Sequence, residues 1–308
     1  MTDWRPSGRI EWLHLRARVQ AQIRAFFADR SVTEVSTPLM TAAGVTEPHV
    51  ESLSIRGLAG FLRTSPEYFH KRLLAAGFGD LYELGPVLRA GEHGRQHRTE
   101  FTMLEWYRLD RSWRQLADET VDLVIACHRR RSPAWRVERF TWRQLLLTRL
   151  GLDPLTATDR TVVESTPELP PECDRQMRLD YLLGSRIQPG LPADQLTIVH
   201  HFPAEQAALA QLDPADPRLA LRFELYAGAI ELANGYQELS DPVEQRRRFE
   251  NDNAVRRSRG QKPMPIDEAL LAALDQGLPP CSGVALGFDR LMMALVAATD
   301  LSEVVSFS

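Results

Sequence analysis

Residues 100–108, Glu-Phe-Thr-Met-Leu-Glu-Trp-Tyr-Arg, read as a strand fed by a charged, glycine-containing loop that begins at Arg89. Successive strand side chains point to opposite faces. Phe101, Met103, Glu105 and Tyr107 therefore share one face, and Thr102, Leu104, Trp106 and Arg108 the other. The first face is unusual for a core. It sets a carboxylate and a phenol beside an aromatic ring, and a buried carboxylate is costly unless paired. Two readings stay open from spacing alone: a half-buried strand with its polar residues outside, or a strand that offers a polar face to a ligand.

The segments before this strand alternate helix and strand. Ile10, Leu13, Val19, Ile23, Phe26 and Phe27 lie near one stripe and predict an amphipathic helix over 10–29. A short strand over 33–39 carries Pro38, which suits an edge or an interface. Ser65-Pro66-Glu67 reads as a helix start, with serine at the N-cap, proline at the first helical position and an acid in the first turn. Glu67 either complements the helix dipole or binds a ligand amine. That helix runs through Leu73 and Leu74 and stops near Gly77, and a strand over 81–88 leads into the loop.

After it, Trp113, Leu116, Ala117, Val121, Val124 and Ile125 form the apolar face of a helix over 113–131. The run Arg129-Arg130-Arg131 suits its negative C-terminal pole. Residues 132–195 show no chemistry, only short helices over 141–150 and near 172–184, and a strand follows over 196–202. Residues 221–240 predict two strands with a turn near Ala227-Gly228. By parity Asn234, Tyr236 and Glu238 share a face. Glu224 and Glu231 flank the turn. They are either exposed strand acids or a magnesium site for a nucleotide, since magnesium takes few protein oxygens and keeps phosphate and water. Asp241-Pro242 opens a charged helix to Arg259 whose arginines read as a solvated face, and a short helix covers 267–276. In Cys281 to Arg290 a glycine-spaced strand enters an apolar helix over 291–298. Such a junction lets backbone approach a phosphate. Arg290, in the first turn and against the dipole, faces either an anion or solvent.

Composition narrows the function. The chain has 308 residues and a formal net charge of −4, so it lacks the basic field for broad nucleic-acid binding and no stable nucleic-acid partner is expected. Cys127, Cys173 and Cys281 are far apart, with no metal spacing, which fits a reducing compartment. The first residues are not a signal peptide and no apolar run spans a membrane, so a cytoplasmic protein is expected. Walker-type and Rossmann glycine motifs are absent.

Together these stretches resemble the catalytic core of class II aminoacyl-tRNA synthetases, the lysine branch in particular. Arg89 with Glu100-Phe-Thr-Met-Leu-Glu105 is similar to motif 2, Gly283 to Arg290 to motif 3, and the helix before Thr37-Pro38 to motif 1. Glu231-Leu-Ala-Asn-Gly-Tyr-Gln-Glu238 is similar to the lysyl signature. The resemblance implies an α+β fold, an antiparallel sheet flanked by helices. It also implies a homodimer through motif 1, and ATP and magnesium as co-substrate and metal. Thr64-Ser-Pro-Glu-Tyr68 and Cys281-Ser-Gly-Val-Ala-Leu-Gly287 resemble most closely the stand-alone lysyl-synthetase paralogues that join (R)-β-lysine to elongation factor P. Only about ten residues precede the first helix, so a single catalytic domain over 1–308, without an anticodon-binding OB domain, is expected.

The resemblance implies roles for individual residues. Arg89 would hold the α-phosphate and the substrate carboxylate, Phe101 would stack on adenine, and His97 and Arg290 would neutralise the outer phosphates, with Gly287 beside them. Glu224 and Glu231 would hold magnesium. Ser65, Glu67 and Glu105 would surround the amino group near the carboxylate, and Asn234 would orient that carboxylate. Glu238 and Tyr107 would bind the ε-ammonium. The chain departs from the family at Arg89-Ala90-Gly91, where Arg-Asn-Glu is usual, and Glu92 would slide into the adenine-reading role. It departs again at His97-Arg98-Thr99-Glu100, where the family has His-Asn-Pro-Glu. Ala285 replaces a glycine of lysyl synthetases, and its methyl would reshape the pocket for a β-amino substrate. The alternatives are a truncated enzyme that charges tRNA and a non-catalytic amino-acid sensor.

Overall fold

The computed structural model describes residues 4–57, 59–128 and 135–308. Its centre is an eight-stranded mixed sheet, joined by helices into an α+β fold. The strands are β1 (Thr33–Glu34), β4 (Leu81–Leu88), β5 (Glu100–Leu109), β6 (Arg136–Thr141), β7 (Gln195–Pro203), β8 (Leu219–Ala227), β9 (Ile230–Gln237) and β10 (Cys281–Gly287). Their order across the sheet is β1-β4-β5-β10-β9-β8-β7-β6. The edge pairs β1–β4 and β6–β7 are parallel, and every pair between them is antiparallel. A separate ribbon pairs β2 (Met40–Thr41) with β3 (Phe61–Leu62).

Helices α1 (Ile10–Ala28), α3 (Trp113–His128) and α9 (Phe288–Val296) cover one face of the sheet. Val19, Ile23 and Phe27 of α1, Leu116, Leu123 and Val124 of α3, and Leu291 and Met292 of α9 pack with Leu104, Trp106, Phe223, Leu225 and Leu286 in the main core. Helices α2 (Glu67–Ala75), α7 (Pro242–Ser258) and α8 (Glu268–Gly277) cover part of the opposite face, where Leu74, Phe249 and Leu270 meet Leu81, Tyr107 and Cys281. A third cluster joins α4 (Trp142–Leu150) and α6 (Arg175–Tyr181) to Val199, Phe202 and Tyr226, with α5 (Asp159–Glu164) beside them. Among the described residues no helix is long and apolar enough to cross a membrane.

Local chemistry explains the element ends. Thr141 caps α4 in a reciprocal box with Gln144, and Asp241 accepts from the backbone of Val243 and Glu244 ahead of Pro242. Gly228 turns β8 into β9 at φ +53°. Other features differ from the sequence reading. The strand expected over 33–39 is only two residues long, because Thr37 turns its backbone N–H and hydroxyl to the Glu83 carboxylate instead of to a ladder. Ser65 is not an N-cap: α2 begins at Glu67, and the Pro66 carbonyl accepts the first helical bonds. Helix α6 continues as a π-helical turn, Leu182–Ile187, past the expected end at 184. Strand β6 lies in the stretch that gave no sequence signal. The Arg129-Arg130-Arg131 run lies outside the described residues. The arginines of α7 do more than solvate a face. Arg256 is fully buried and donates to the carbonyls of Lys262 and Glu47 and to the Glu51 carboxylate, and Arg248 donates to the carbonyls of Ala208 and Ala210.

Candidate active site

The alternation in β5 divides its residues as the parity argument requires. Leu104 and Trp106 enter the main core, while Phe101, Met103, Glu105 and Tyr107 line a cavity of about 1290 Å³ on the other face. Strand register builds the cavity floor. Ala285 of β10 sits opposite Glu105 on one side and Asn234 on the other, and Gly283 sits opposite Tyr107 and Tyr236. A side chain at 283 has no room: a Cβ there would lie 2.3 Å from Tyr107 Cε1 and 2.4 Å from Glu238 Oε1.

One end of the cavity is walled by three carboxylates, Glu67, Glu105 and Glu238. Behind them, on consecutive residues of α2, stand His70 and Lys71, both buried. Lys71 Nζ lies 2.7 Å from Glu67 Oε1 and 2.7 Å from Glu238 Oε2. Burial opposes the lysine charge, but Glu238 and Glu67 outweigh it and hold Lys71 charged. Burial pushes Glu238 up to about 8 against the pull of Lys71, and neighbouring Glu67 and Glu105 add to the rise. The Tyr107 hydroxyl donates to Glu105 Oε1 at 3.0 Å. His70 stands between two carboxylates, Nδ1 3.3 Å from Glu105 and Nε2 3.1 Å from Glu83. Burial raises Glu105, and its bonds to His70 and Tyr107 pull it partly back. Glu83 ends the chain of contacts. Its own burial works against ionisation, but His70, Arg63 and Thr37 bring it down to about 2.

The other end is cationic and aromatic. The Arg89 guanidinium lies 5.3 Å from the Phe101 ring centre, and its Nε donates to the Thr64 carbonyl at 3.3 Å. Arg290 reaches from the first turn of α9 to the carbonyls of Gln96 and Glu231, and its Nη2 lies 2.7 Å from His97 Nε2. Burial and then Arg290 hold His97 below the usual histidine range, so its ring nitrogen is free to accept from the guanidinium. Glu92 Oε2 is 3.7 Å from the same ring nitrogen.

Between the two ends lie Glu224 and Glu231. A register shift at Leu225/Tyr226 sets Glu224 opposite Asn234 and Glu231 opposite Tyr226, so the two acids are not directly opposed. Both line the cavity. Glu224 accepts from Arg222 and from the Tyr226 hydroxyl, and Glu231 Oε2 is 3.5 Å from Arg290 Nη1. Burial raises Glu224, Arg222 opposes that rise, and Glu231 adds to it. Among the described residues no cluster of three or more His, Cys, Asp or Glu side chains forms a metal site. Two carboxylates lining one cavity are the donor type magnesium takes, since it keeps phosphate and water as its remaining ligands.

Every residue given a ligand-binding role from the sequence lines this one cavity, including Ser65, Glu92, Asn234, Ala285 and Gly287. Sequence reasoning missed the supporting layer: His70, Lys71, Arg63, Glu83, Arg222 and Tyr226. Lys71 had a signal, because Glu67 and Lys71 are an i,i+4 acid–base pair. That spacing looks the same on a solvated helix face, and only the fold places Glu238 against it.

Comparison with known proteins agrees with the fold. The family model for class II tRNA synthetases (D, K and N) matches residues 1–308. A protein of Hamiltonella defensa is 44% identical over 99% of this chain and 97% of its own length, and one of Yersinia enterocolitica gives the same figures. A third, from Klebsiella pneumoniae, is 45% identical over the same shares. All three carry the name elongation factor P–(R)-beta-lysine ligase.

Proposed function

The chain belongs to the class II (D, K and N) tRNA synthetase family, and from that premise we propose that it is an ATP-dependent ligase that activates (R)-β-lysine and joins it to a lysine of elongation factor P. The observation that carries the reading is how the cavity wall is grouped: Lys71 and His70 gather Glu67, Glu238 and Glu105, while Arg89 sits with Phe101 and Arg290 with His97. A substrate with two ammonium groups fits the first end, and a nucleotide triphosphate fits the second. Named relatives covering nearly the whole chain support the same activity. Charging of tRNA is not favoured.

In the first step the β-lysine carboxylate attacks the α-phosphorus of ATP and pyrophosphate leaves. Arg89 bridges the carboxylate and the α-phosphate with its planar fork, and Phe101 stacks on the adenine. Arg290 and His97 face the outer phosphates, Glu92 reads the adenine edge, and the backbone near Gly287 approaches the nucleotide. Asn234 orients the carboxylate, Glu67 and Glu105 hold the nearer ammonium with Ser65 at the rim, and Glu238 and Tyr107 hold the distal one. Glu224 and Glu231 would hold magnesium, which when bound supplies charge stabilisation to the phosphates. In the second step the acceptor lysine amine attacks the acyl carbon, an amide forms and AMP leaves. No side chain acts as nucleophile, and the rate comes from alignment and pre-placed charge. Helix α1 and the segment to Thr37-Pro38 supply the face of a homodimer, and the three free cysteines suit the cytoplasm.

The test is the intact mass of elongation factor P after incubation with this protein, ATP, magnesium and (R)-β-lysine. A gain of one lysyl unit is expected. No gain on folded acceptor with its lysine free would overturn the reading.

A further inference from the structure

Lys71 does not line the cavity, yet it touches two of the three carboxylates that do. It is 1% exposed, so its ammonium has no aqueous alternative to these partners. The contacts use one oxygen of each acid, Glu67 Oε1 and Glu238 Oε2. Both Glu238 oxygens are buried, and among the described residues neither has a hydrogen-bond donor, so the ion pair with Lys71 is what offsets the charge. Glu238 itself is 2% exposed, so little water reaches its carboxylate. Two neighbouring carboxylates in such a site do not both ionise without a cation. An acid that takes up a proton becomes a donor and no longer asks for an ammonium.

We propose that Lys71 is a specificity-determining positioning residue: by bridging Glu67 and Glu238 from behind, it lowers the cost of ionising both acids and aims them, and so makes the pocket demand a second ammonium on its substrate. This deepens the proposed function and rests on it. His70 plays a related part for Glu105, but it is also bound to Glu83, so its removal would disturb the fold more widely. Lys71 has only the two cavity acids as ion-pair partners among the described residues. It stands behind the acids and does not line the cavity. Its loss should therefore change which amino acid is activated more than how fast a bound one reacts.

The experiment compares adenylation, by pyrophosphate exchange, of (R)-β-lysine and of 3-aminohexanoate of the same handedness, which lacks the distal ammonium. The ratio of kcat/KM for the two is read on a single sample, so it does not depend on how much of that sample is folded. Wild type is expected to favour β-lysine strongly. Lys71→Met is expected to cut that ratio at least tenfold, mainly through a raised KM for β-lysine, with kcat changing less. Lys71→Arg, which keeps the charge, is expected to hold the ratio within about threefold. An unchanged ratio in Lys71→Met overturns the proposal. If that variant does not fold, a tenfold loss of ratio in Lys71→Arg overturns it instead. A wild-type protein with no preference for β-lysine would refute the functional reading and leave the role of Lys71 without an object.

Discussion

The two faces of β5 carry five side chains each and serve opposite ends. On the core face, Leu104 and Trp106 are fully buried among apolar neighbours, and Trp106 satisfies its one polar atom with Glu119. On the cavity face, Glu105 and Tyr107 are almost as buried, but their neighbours are charged. Burial alone therefore does not separate core from site. What separates them is the second layer. The core face is backed by helices with apolar stripes, and the cavity face by Arg63, His70, Lys71 and Glu83, which pair with other charges. A pocket that must bind ammonium groups cannot be apolar, and acids kept ionised away from water require such backing.

The comparison is broken most sharply at Arg89. A pre-placed charge donor is worth about 3–4 kcal/mol to the transition state, so Arg89→Ala should lower adenylate formation roughly 10²–10³-fold. The melting temperature should stay within a degree or two of wild type, because Arg89 makes one backbone contact and one ring contact. Adenylation near the wild-type rate would show that the cationic end does not hold the nucleotide.

A matched pair of glycines sharpens it next. Gly235 and Gly283 lie on adjacent strands and point to opposite faces. A Cβ at Gly235 would meet Phe223 Cε1 at 2.5 Å inside the core, and one at Gly283 would meet Tyr107 and Glu238 in the cavity wall. Overpacking costs about 1–3 kcal/mol. Gly235→Ala should show it as lost stability in a denaturant titration, with KM for β-lysine unchanged. Gly283→Ala should show it chiefly as a raised KM. Equal effects on KM would mean that the two faces are mechanically coupled.

Much of this division is legible in the sequence, because period-2 alternation in 100–108 sorts the side chains before any fold is known. The same parity in 230–238 brings Asn234 and Glu238 to the same cavity. Helix starts at Thr141, Asp241 and Asp267 depend on side chains within three residues, and the structure shows caps there. Features that depend on distant partners escape. Thr37 leaves its strand for Glu83, Lys71 finds Glu238, and Arg256 finds Glu47 and Glu51, each across a long stretch of chain. Charged residues on helices look solvated by spacing alone, and only tertiary neighbours reveal the buried ones.

Titration separates the two ends of the cavity without a mutation. Glu238, pushed up to about 8 by burial, carries a proton in the empty pocket at lower pH. An ammonium binds the ionised acid, so that proton must leave on binding. KM for β-lysine should therefore rise as pH falls below about 8, by at most tenfold per unit. KM for ATP should not follow. A Glu238→Gln variant should have a high KM with a flat profile over this range, and a slope retained there would assign the titration to another group.

The smallest expected effect lies at Ala285, on the rung between Glu105 and Asn234. If Asn234 holds the carboxylate and Glu238 the distal ammonium, the two ends of the substrate are fixed. The remaining amine then has one position, and α-lysine carries it one carbon nearer the carboxylate. The Ala285 methyl occupies the floor at that level, so its removal opens room there without touching either anchor. One methyl in a pocket is worth about 1 kcal/mol at the low end. Ala285→Gly should therefore narrow the preference for β-lysine over α-lysine several-fold. The glycine also loosens a central strand by about 0.5–1 kcal/mol, which a thermal melt reads separately. If the isomer preference stays at its wild-type value while the melt shifts, the methyl only stiffens β10, and the choice between isomers rests with the carboxylates above it.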